Sequence, residues 1–256
     1  MPFLTCYDFT SAKLMRDAGV PGLLVGDSAA SVILGYDSTL PVSLRFLIDI
    51  TSAVRRGHPQ AFLVADMPFG SYHASTEQGV GNIVRMIKRT GCDAVKLEVS
   101  DMHLPVIERA AAGGVGVIAH LGLRPQAVGI LGGYRTQART EGEQEEMVAL
   151  AQRCERAGAV ALLLEAVPSD AARRVVEAVS VPVIGCGAGP ACHAHVVVTH
   201  DLLGLSGHRP KFVPGGGDVS PQIRGALESW VENIHSGIYP GPEHEYGVKT
   251  ALSKNK

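Results

Sequence analysis

The fold is decided by residues 62–98, FLVADMPFGSYHASTEQGVGNIVRMIKRTGCDAVKLE. The stretch begins with an apolar run of strand length, Phe62–Ala65, and ends with another, Ala94–Leu97. Between them, Thr76–Arg89 has apolar residues three or four positions apart, which predicts an amphipathic helix, and Gly91 follows the predicted helix end. The stretch therefore predicts a strand, a helix and a strand in that order.

The same alternation extends in both directions along the chain. Eight apolar runs predict strands at Phe3–Tyr7, Gly22–Gly26, Phe62–Ala65, Ala94–Leu97, Val115–Ala119, Val160–Leu164, Val181–Gly185 and Leu202–Leu205. Helices are predicted at Leu44–Arg56, Thr76–Arg89, Glu143–Ala157 and Ser169–Val179. Such apolar strands are buried on both faces, either in a closed barrel or in an open doubly wound α/β sheet. Eight strands, with no glycine-rich dinucleotide fingerprint after the first, favour a (β/α)8 TIM barrel.

Length and composition suit one barrel-sized domain. The chain has 256 residues, of which 46% are hydrophobic, so it can bury a large core. No linker or low-complexity stretch divides it. We expect residues 1–256 to form a single domain, with a flexible tail from about residue 247.

Charge and cysteine usage narrow the class of partner and the compartment. The 23 basic and 25 acidic residues are dispersed and give a net charge of −2, which offers no footprint for nucleic acid or an anionic membrane and favours a small-molecule partner. Five cysteines without paired metal-binding spacing are typical of reduced thiols. Neither a membrane-spanning run nor a signal-peptide pattern is present, so we expect a cytoplasmic protein.

Acidic residues interrupt the apolar runs at their carboxyl ends, where both candidate architectures bind ligands. VGDS places Asp27 after the second strand, and VADMP places Asp66 after the third. VKLEV places Glu98 after the fourth strand, and LLEAVP places Glu165 after the sixth. Each acid alone could cap a helix or lie in a surface loop. Four together predict a ligand-binding cluster.

Ionised carboxylates crowded into one cleft repel each other, so the cluster needs a cation or shared protons. A divalent metal ion meets this need. Oxygen ligands without a Cys or His pair favour a hard ion, and partly hydrated Mg²⁺ that leaves room for substrate oxygens fits best. The HAH run, His193–His195, lacks acidic or cysteine partners, so we do not expect it to bind metal.

Further polar residues lie at the same ends of the strands, namely Tyr7, Asp8, Ser28, Lys96, His120 and Arg124. Lys96 lies two residues before Glu98, so both side chains point to one face of an extended strand. The Lys96 ammonium could bind a substrate carboxylate or form a structural ion pair with a neighbouring acid. His120 ends the fifth strand, either as a site residue or as a hydrogen-bonded structural one.

A resemblance to a known family rests on eleven peptides that occur in order: TCYDFTSAKL, LLVGDS, LGYDSTLPVS, AVRRG, VADMPFGSY, AVKLE, AHLGLRPQ, GGYRTQAR, LLEAVP, PVIGCGAG and YPGPEH. Together they resemble the ketopantoate hydroxymethyltransferases from about Leu4 to His244, a match more specific than any single motif. The resemblance implies a (β/α)8 barrel of the phosphoenolpyruvate mutase type. It also implies a Mg²⁺-dependent transfer of a one-carbon unit from 5,10-methylenetetrahydrofolate to 3-methyl-2-oxobutanoate, which gives 2-dehydropantoate in pantothenate biosynthesis, and a homo-oligomer, often a decamer.

The resemblance also implies a role for each candidate residue. The metal-site acids of the family match Asp27, Asp66 and Glu98. Its substrate-contacting positions match Asp27, Ser28, Asp66, Lys96 and His120. Its catalytic acid or base matches Glu165.

The chain departs from the family pattern at its start and near the predicted site. It begins late in the pattern, without a segment that closes one end of the barrel, and we expect an effect on stability or assembly. The other departures are Ala29 and Ala30 after GDS, Val99 and Ser100 after the fourth strand, and His193–His195 after GAG. We expect these residues to lie at the mouth of the site and to narrow it, because only glycine allows the closest backbone approach.

Two other functions stay open on the sequence. One is cleavage or isomerisation of a related oxoacid on the same barrel and metal, although enzymes of that kind tend to have a catalytic cysteine loop, which this sequence lacks. The other is a non-catalytic homologue that binds a metabolite. The presence of all four acids argues against this second alternative.

Overall fold

Eight parallel strands close into a barrel in the computed structural model of the protein, which describes residues 1–215 and 217–247. The strands are β1 (Pro2–Thr5), β2 (Gly22–Val25), β3 (Phe62–Asp66), β4 (Ala94–Glu98), β5 (Gly116–Gly122), β6 (Ala161–Glu165), β7 (Val183–Cys186) and β8 (Ala194–Val197). Each strand pairs with the next, and β8 pairs back with β1, so the sheet has no free edge. The structure therefore confirms the predicted barrel and excludes the alternative, an open doubly wound sheet.

Helices surround most of the barrel. They are α1 (Phe9–Asp17), α2 (Ala29–Val32), α3 (Leu44–Gly57), α4 (Thr76–Thr90), α5 (Leu104–Ala112), α6 (Val128–Leu131), α7 (Glu141–Arg156), α8 (Ser169–Ala178), α9 (Thr199–Leu202) and α10 (Ser220–His235). The four predicted helices are confirmed as α3, α4, α7 and α8, each within two residues at either end. At α4, the Ser75 side chain accepts a hydrogen bond from the Gln78 amide, and Gly91 ends the helix with a φ of 66°.

The eighth predicted strand, Leu202–Leu205, is wrong. The structure forms β8 from Ala194–Val197 instead, and Leu202 is the last residue of α9. Because β8 starts only eight positions after the end of β7, the connection is too short for the helix that the repeating pattern led us to expect there. Gly204, with a φ of 69°, turns the predicted segment away from an extended conformation.

Side-chain alternation along the strands separates two apolar cores and points the site residues inward. On β4, Val95 and Leu97 pack between the sheet and the helices, whereas Ala94 joins the core inside the barrel. Lys96 and Glu98 follow Ala94 on the interior face, above that core. The apolar interior therefore forms the floor of a polar site at the carboxyl ends of the strands.

Three other predictions concern the chain as a whole. The flexible tail predicted from about residue 247 lies, beyond that residue, outside the described part of the chain. Across residues 1–215 and 217–247, no helix is both long enough and apolar enough to cross a membrane. All five cysteines are free thiols.

Candidate active site

A cavity of about 160 Å³ opens at the carboxyl ends of the strands. It brings together all of the predicted site residues, which are Asp27, Ser28, Asp66, Lys96, Glu98, His120 and Glu165. The barrel places them there because three of the acids are the last residues of β3, β4 and β6. A larger cavity of about 400 Å³ lies beside α7 and contains none of these seven residues.

The carboxylates of Asp27, Asp66 and Glu98 each have one oxygen held by a protein donor. Oδ2 of Asp66 accepts a hydrogen bond from the Asp27 backbone amide at 2.9 Å. Oδ2 of Asp27 accepts from the Gln126 side-chain amide at 2.8 Å, and Oε2 of Glu98 accepts from the Gln126 backbone amide at 2.9 Å. The other oxygen of Glu98, Oε1, is buried and receives no hydrogen bond from the described residues, and Oδ1 of Asp66 is buried beside Lys96.

Lys96 supplies positive charge to this cluster. Its Nζ lies 3.0 Å from Oδ1 of Asp66, and both side chains are almost fully buried. Burial disfavours the ammonium, but the charges of Asp66, Asp27 and Glu98 outweigh it and raise the pKa of Lys96. The structural ion pair that the sequence left open is therefore present, and the ammonium still faces the cavity.

Burial makes ionisation of the acids costly. It raises the pKa of Asp66 to about 7, against the opposing effect of Lys96, and raises the pKa of Glu98 to about 9. Near neutral pH, the Asp66 carboxyl group is therefore partly protonated and the Glu98 carboxyl group mostly protonated. A divalent cation would reverse this balance by favouring their ionised forms.

The donor set suits magnesium. Among the described residues, no three His, Cys, Asp or Glu side chains converge closely enough to hold a metal ion as they stand. Mg²⁺, however, is usually held by one or two protein carboxylates and completes its shell with water and substrate oxygens. Oε1 of Glu98 is a buried carboxylate oxygen without a hydrogen bond from the described residues, and Oδ1 of Asp66 is paired only with the Lys96 ammonium, so the residues present fit such an ion.

His120 lies between Lys96 and Glu165. Its Nδ1 is 3.1 Å from Nζ of Lys96, and its Nε2 is 3.4 Å from Oε2 of Glu165. Burial and the neighbouring Lys96 charge lower the pKa of His120 well below its usual value, so the ring is neutral. Because an ammonium can only donate, Nδ1 is the acceptor and Nε2 carries the hydrogen of the neutral ring. Nε2 is the ring nitrogen near Glu165, but its N–H makes no hydrogen bond with the described residues.

Glu165 differs from the other acids in its surroundings. Burial raises its pKa to about 7, with Lys96 acting in the opposite direction. The next residue, Ala166, has a φ of 47°, a left-handed conformation uncommon for a side chain other than glycine. Backbone hydrogen bonds to Cys186 and from Gln137 hold Ala166 on both sides. A carboxyl group that titrates near neutral pH and has a fixed backbone is suited to proton transfer.

The remaining polar residues at the strand ends have different surroundings. Ser28 contacts the Tyr7 hydroxyl, whereas Asp8 and Arg124 lie outside the cavity. Oγ of Ser28 is 2.8 Å from Oη of Tyr7, whose pKa burial raises, so the phenol stays protonated. Asp8 instead caps α1 by accepting from the Ser11 amide at 2.8 Å. Arg124 donates to the Val99 carbonyl at 2.8 Å. Asp8 and Arg124 therefore have structural roles.

The residues that depart from the family pattern do not line the cavity, so the prediction that they narrow it is wrong. Ala29 and Ala30 are fully buried in the outer core, on α2. Val99 points outward into the same core, and Nδ1 of His193 accepts from the Val183 amide on the outer side of the barrel. Side chains alternate along a strand, so residues next to a site acid face away from it.

Three residues of the site are absent from the sequence prediction. Gln126 bonds to two of the acids, and Tyr72 bonds in turn to Gln126 at 2.9 Å. Cys186, the last residue of β7, lines the cavity beside Glu165. All three lie in peptides that carry the family resemblance, AHLGLRPQ, VADMPFGSY and PVIGCGAG, and could have been found there, although neither periodicity nor charge distinguishes them.

Comparison with known proteins shows the family to which this chain belongs. The family model described as ketopantoate hydroxymethyltransferase matches residues 1–242. The chain belongs to the ketopantoate hydroxymethyltransferase family. A 3-methyl-2-oxobutanoate hydroxymethyltransferase of Geobacillus thermodenitrificans (strain NG80-2) is 44% identical over 247 residues, which cover 96% of this chain and 88% of that protein. The resemblance read from the eleven peptides is thus confirmed, and this chain is an enzyme of the hydroxymethyltransferase class.

Solved structures show the same barrel with little sequence identity. A phosphonopyruvate hydrolase solved with oxalate and Mg²⁺ has a TM-score of 0.62 and 17% identity, over 97% of this chain and 87% of that one. A 2,3-dimethylmalate lyase, described as a member of the PEP mutase/isocitrate lyase superfamily, has a TM-score of 0.62 and 16% identity, over 96% of this chain and 86% of that one. This ketopantoate hydroxymethyltransferase family member therefore has the barrel fold of that superfamily.

Proposed function

We propose that the protein transfers a hydroxymethyl group from 5,10-methylenetetrahydrofolate to 3-methyl-2-oxobutanoate, giving 2-dehydropantoate for pantothenate biosynthesis, as a cytoplasmic homo-oligomer. The observation that carries this proposal is the division of one cavity between two kinds of acid. Asp27, Asp66 and Glu98 surround Lys96, whereas Glu165 faces the neutral His120. Family membership supports the same reaction.

The first group of acids would hold Mg²⁺. We assign Asp27, Asp66 and Glu98 as the acids that hold it, one or two of them as direct ligands and the others through water bound to the ion. A structural neighbour with the same barrel was solved with Mg²⁺ and oxalate, a two-carbon diacid, which supports this assignment. When bound, the ion would polarise the ketone of the oxoacid and make its C3 proton more acidic. The Lys96 ammonium and the Ser28 hydroxyl would hold the oxoacid in position, and Asp27, Asp66 and His120 would also contact it.

Glu165 would accept the C3 proton of the oxoacid. A carboxylate with a pKa of about 7 is ionised in part at neutral pH, and it is strong enough as a base to share a proton in the transition state. The N–H of His120 would keep the carboxylate oriented toward the substrate. The C3 carbon then forms a bond to the one-carbon unit that leaves the folate, and water supplies the hydroxyl oxygen of the product.

Product analysis tests this function. The protein is incubated with 3-methyl-2-oxobutanoate, 5,10-methylenetetrahydrofolate and Mg²⁺, and 2-dehydropantoate is expected by mass spectrometry. Absence of this product with Mg²⁺, Mn²⁺ and Co²⁺ alike would sink the proposal. Exchange of the C3 proton with solvent deuterium in the absence of folate is a separate readout, which shows whether the oxoacid is activated.

An oxoacid lyase or mutase is the alternative that the fold favours, because solved structures with this barrel include a hydrolase and a lyase. Such an enzyme would also exchange the C3 proton, so the identity of the product decides between the two. A non-catalytic homologue would bind the oxoacid and show neither exchange nor product.

A further inference from the structure

Gln126 is not among the predicted site residues, but it donates hydrogen bonds to two of the acids, Asp27 and Glu98. It lies in a short 3₁₀ turn, Pro125–Ala127, directly after β5. Its side chain is buried, with 7% exposure. Through its backbone and side chain it connects Asp27 on the β2 side of the cavity with Glu98 on β4.

All hydrogen-bonding groups of the Gln126 side chain have partners. Nε2 donates to Oδ2 of Asp27 at 2.8 Å and to the Met67 carbonyl at 3.0 Å, which uses both of its hydrogens. Oε1 accepts from the Tyr72 hydroxyl at 2.9 Å. A flipped amide would place Oε1 against the Asp27 carboxylate and the Met67 carbonyl, both acceptors, so the orientation of the amide is fixed.

Tyr72 couples this amide to the backbone of β4. Its hydroxyl accepts from the Glu98 amide at 3.1 Å while it donates to Oε1 of Gln126. The main-chain N–H of Gln126 donates in turn to Oε2 of Glu98 at 2.9 Å. Glu98 is therefore held at its main chain and at one carboxylate oxygen by the same pair of residues.

We propose that Gln126 is the positioning residue of the metal site, which orients the Asp27 and Glu98 carboxylates so that their remaining oxygens face the cavity. Oε1 of Glu98 receives no hydrogen bond from the described residues and is buried, as a preformed ligand oxygen would be. Residues that hydrogen-bond to metal ligands in this way typically change metal affinity about 10- to 100-fold when they are replaced. The inference rests on the proposed function, because it takes these acids as the metal ligands.

Binding of Mn²⁺ without oxoacid, followed by the electron paramagnetic resonance of the free ion, tests the inference independently of activity. Gln126→Met keeps the length of the side chain but removes its donors, and we expect the Kd for Mn²⁺ to rise about 10- to 100-fold. Tyr72→Phe removes only the hydroxyl that fixes the amide, and we expect a rise of about 2- to 10-fold.

Gln144→Met is the matched control. Gln144 is also a buried glutamine, on α7, and its side chain bonds to Asp170 at 3.2 Å and to Arg174 at 3.1 Å, away from the cavity. Its replacement should lower the melting temperature and leave the Kd within about twofold of the parent. If Gln126 had only a structural role, Gln126→Met would likewise lower the melting temperature and leave the Kd for Mn²⁺ unchanged.

The outcomes separate the two proposals. A folded Gln126→Met variant with the parental Kd overturns the inference and leaves the metal site standing. If that variant does not fold, a parental Kd in Tyr72→Phe overturns it instead. If the parent protein itself binds no Mn²⁺, both the metal site and the positioning role fail.

Discussion

The two sides of the cavity hold acids of similar basicity in opposite ways. On the β2–β4 side, Asp66 has one oxygen bonded to a backbone amide and the other paired with Lys96 at 3.0 Å. On the β5–β6 side, Glu165 has a neutral His120 nitrogen at 3.4 Å. Burial raises the pKa of both acids to about 7. Equal basicity therefore does not imply equal function. Asp66, with both oxygens held, is suited to bind a cation, and Glu165, which is held less tightly, is suited to move a proton.

Replacing Glu165 should give the largest effect on activity. Glu165→Gln keeps the shape but removes the group that accepts a proton, so kcat should fall about 10²- to 10⁴-fold. Binding of the oxoacid and Mg²⁺, measured by calorimetry, should change little because those groups lie on the other side of the cavity. Glu177→Gln, at an exposed position on α8, is the control. Unchanged turnover would remove Glu165 from the proposed role.

Replacing Lys96 tests the other side of the cavity. Lys96→Met leaves buried carboxylates without their cation, so the metal-free protein should lose about 3–5 kcal/mol of unfolding free energy. Urea denaturation at pH 8 measures the loss. Lys88→Met, on the exposed face of α4, should change stability by less than about 0.5 kcal/mol. A loss in Lys96→Met no larger than in this control would contradict the electrostatic account of the cluster.

The pH dependence of activity should report Glu165. With a pKa of about 7, this acid is protonated below that pH and cannot accept a second proton. We therefore expect kcat/KM to level off above about pH 7 and to fall about tenfold for each pH unit below it. The residual activity of Glu165→Gln should lack this acidic limb. If the variant retains the limb, the titrating group is another residue.

The smallest expected effect concerns the contact between Tyr7 and Ser28, on the same side of the cavity as Lys96. Tyr7→Phe removes the partner 2.8 Å from the Ser28 hydroxyl, which would then orient the oxoacid less well. We expect the KM for the oxoacid to rise about 2- to 10-fold, with kcat within about twofold of the parent. Tyr36→Phe, at a position with 46% exposure, serves as the control in the same steady-state assay.

The sequence by itself determined the alternation of strands and helices and the acids at the strand ends, and it favoured the barrel over an open sheet. Alternating apolar runs and amphipathic helices predict β/α repeats, and the carboxyl ends of parallel strands meet at one end of a barrel wherever the exact boundaries lie. That is why Asp27, Asp66, Glu98 and Glu165 were found although each predicted strand stopped short of its acid. The eighth strand was missed because β7 and β8 are joined by a short loop, an exception that periodicity does not reveal.

Only the tertiary structure decided how these residues act on one another. The side-chain amide of Gln126 donates to Asp27, 99 positions away in the sequence, and the Tyr72 hydroxyl reaches Gln126 across 54 positions. Hydrogen bonds and pKa shifts depend on distances of a few ångströms and on burial, which closure of the barrel sets and a residue pattern does not encode. The outward direction of Val99 and the burial of Ala29 and Ala30 followed from the same closure. The sequence showed which types of residue are present, and packing divided them into three acids near Lys96 on one side of the cavity and Glu165 with a neutral His120 on the other.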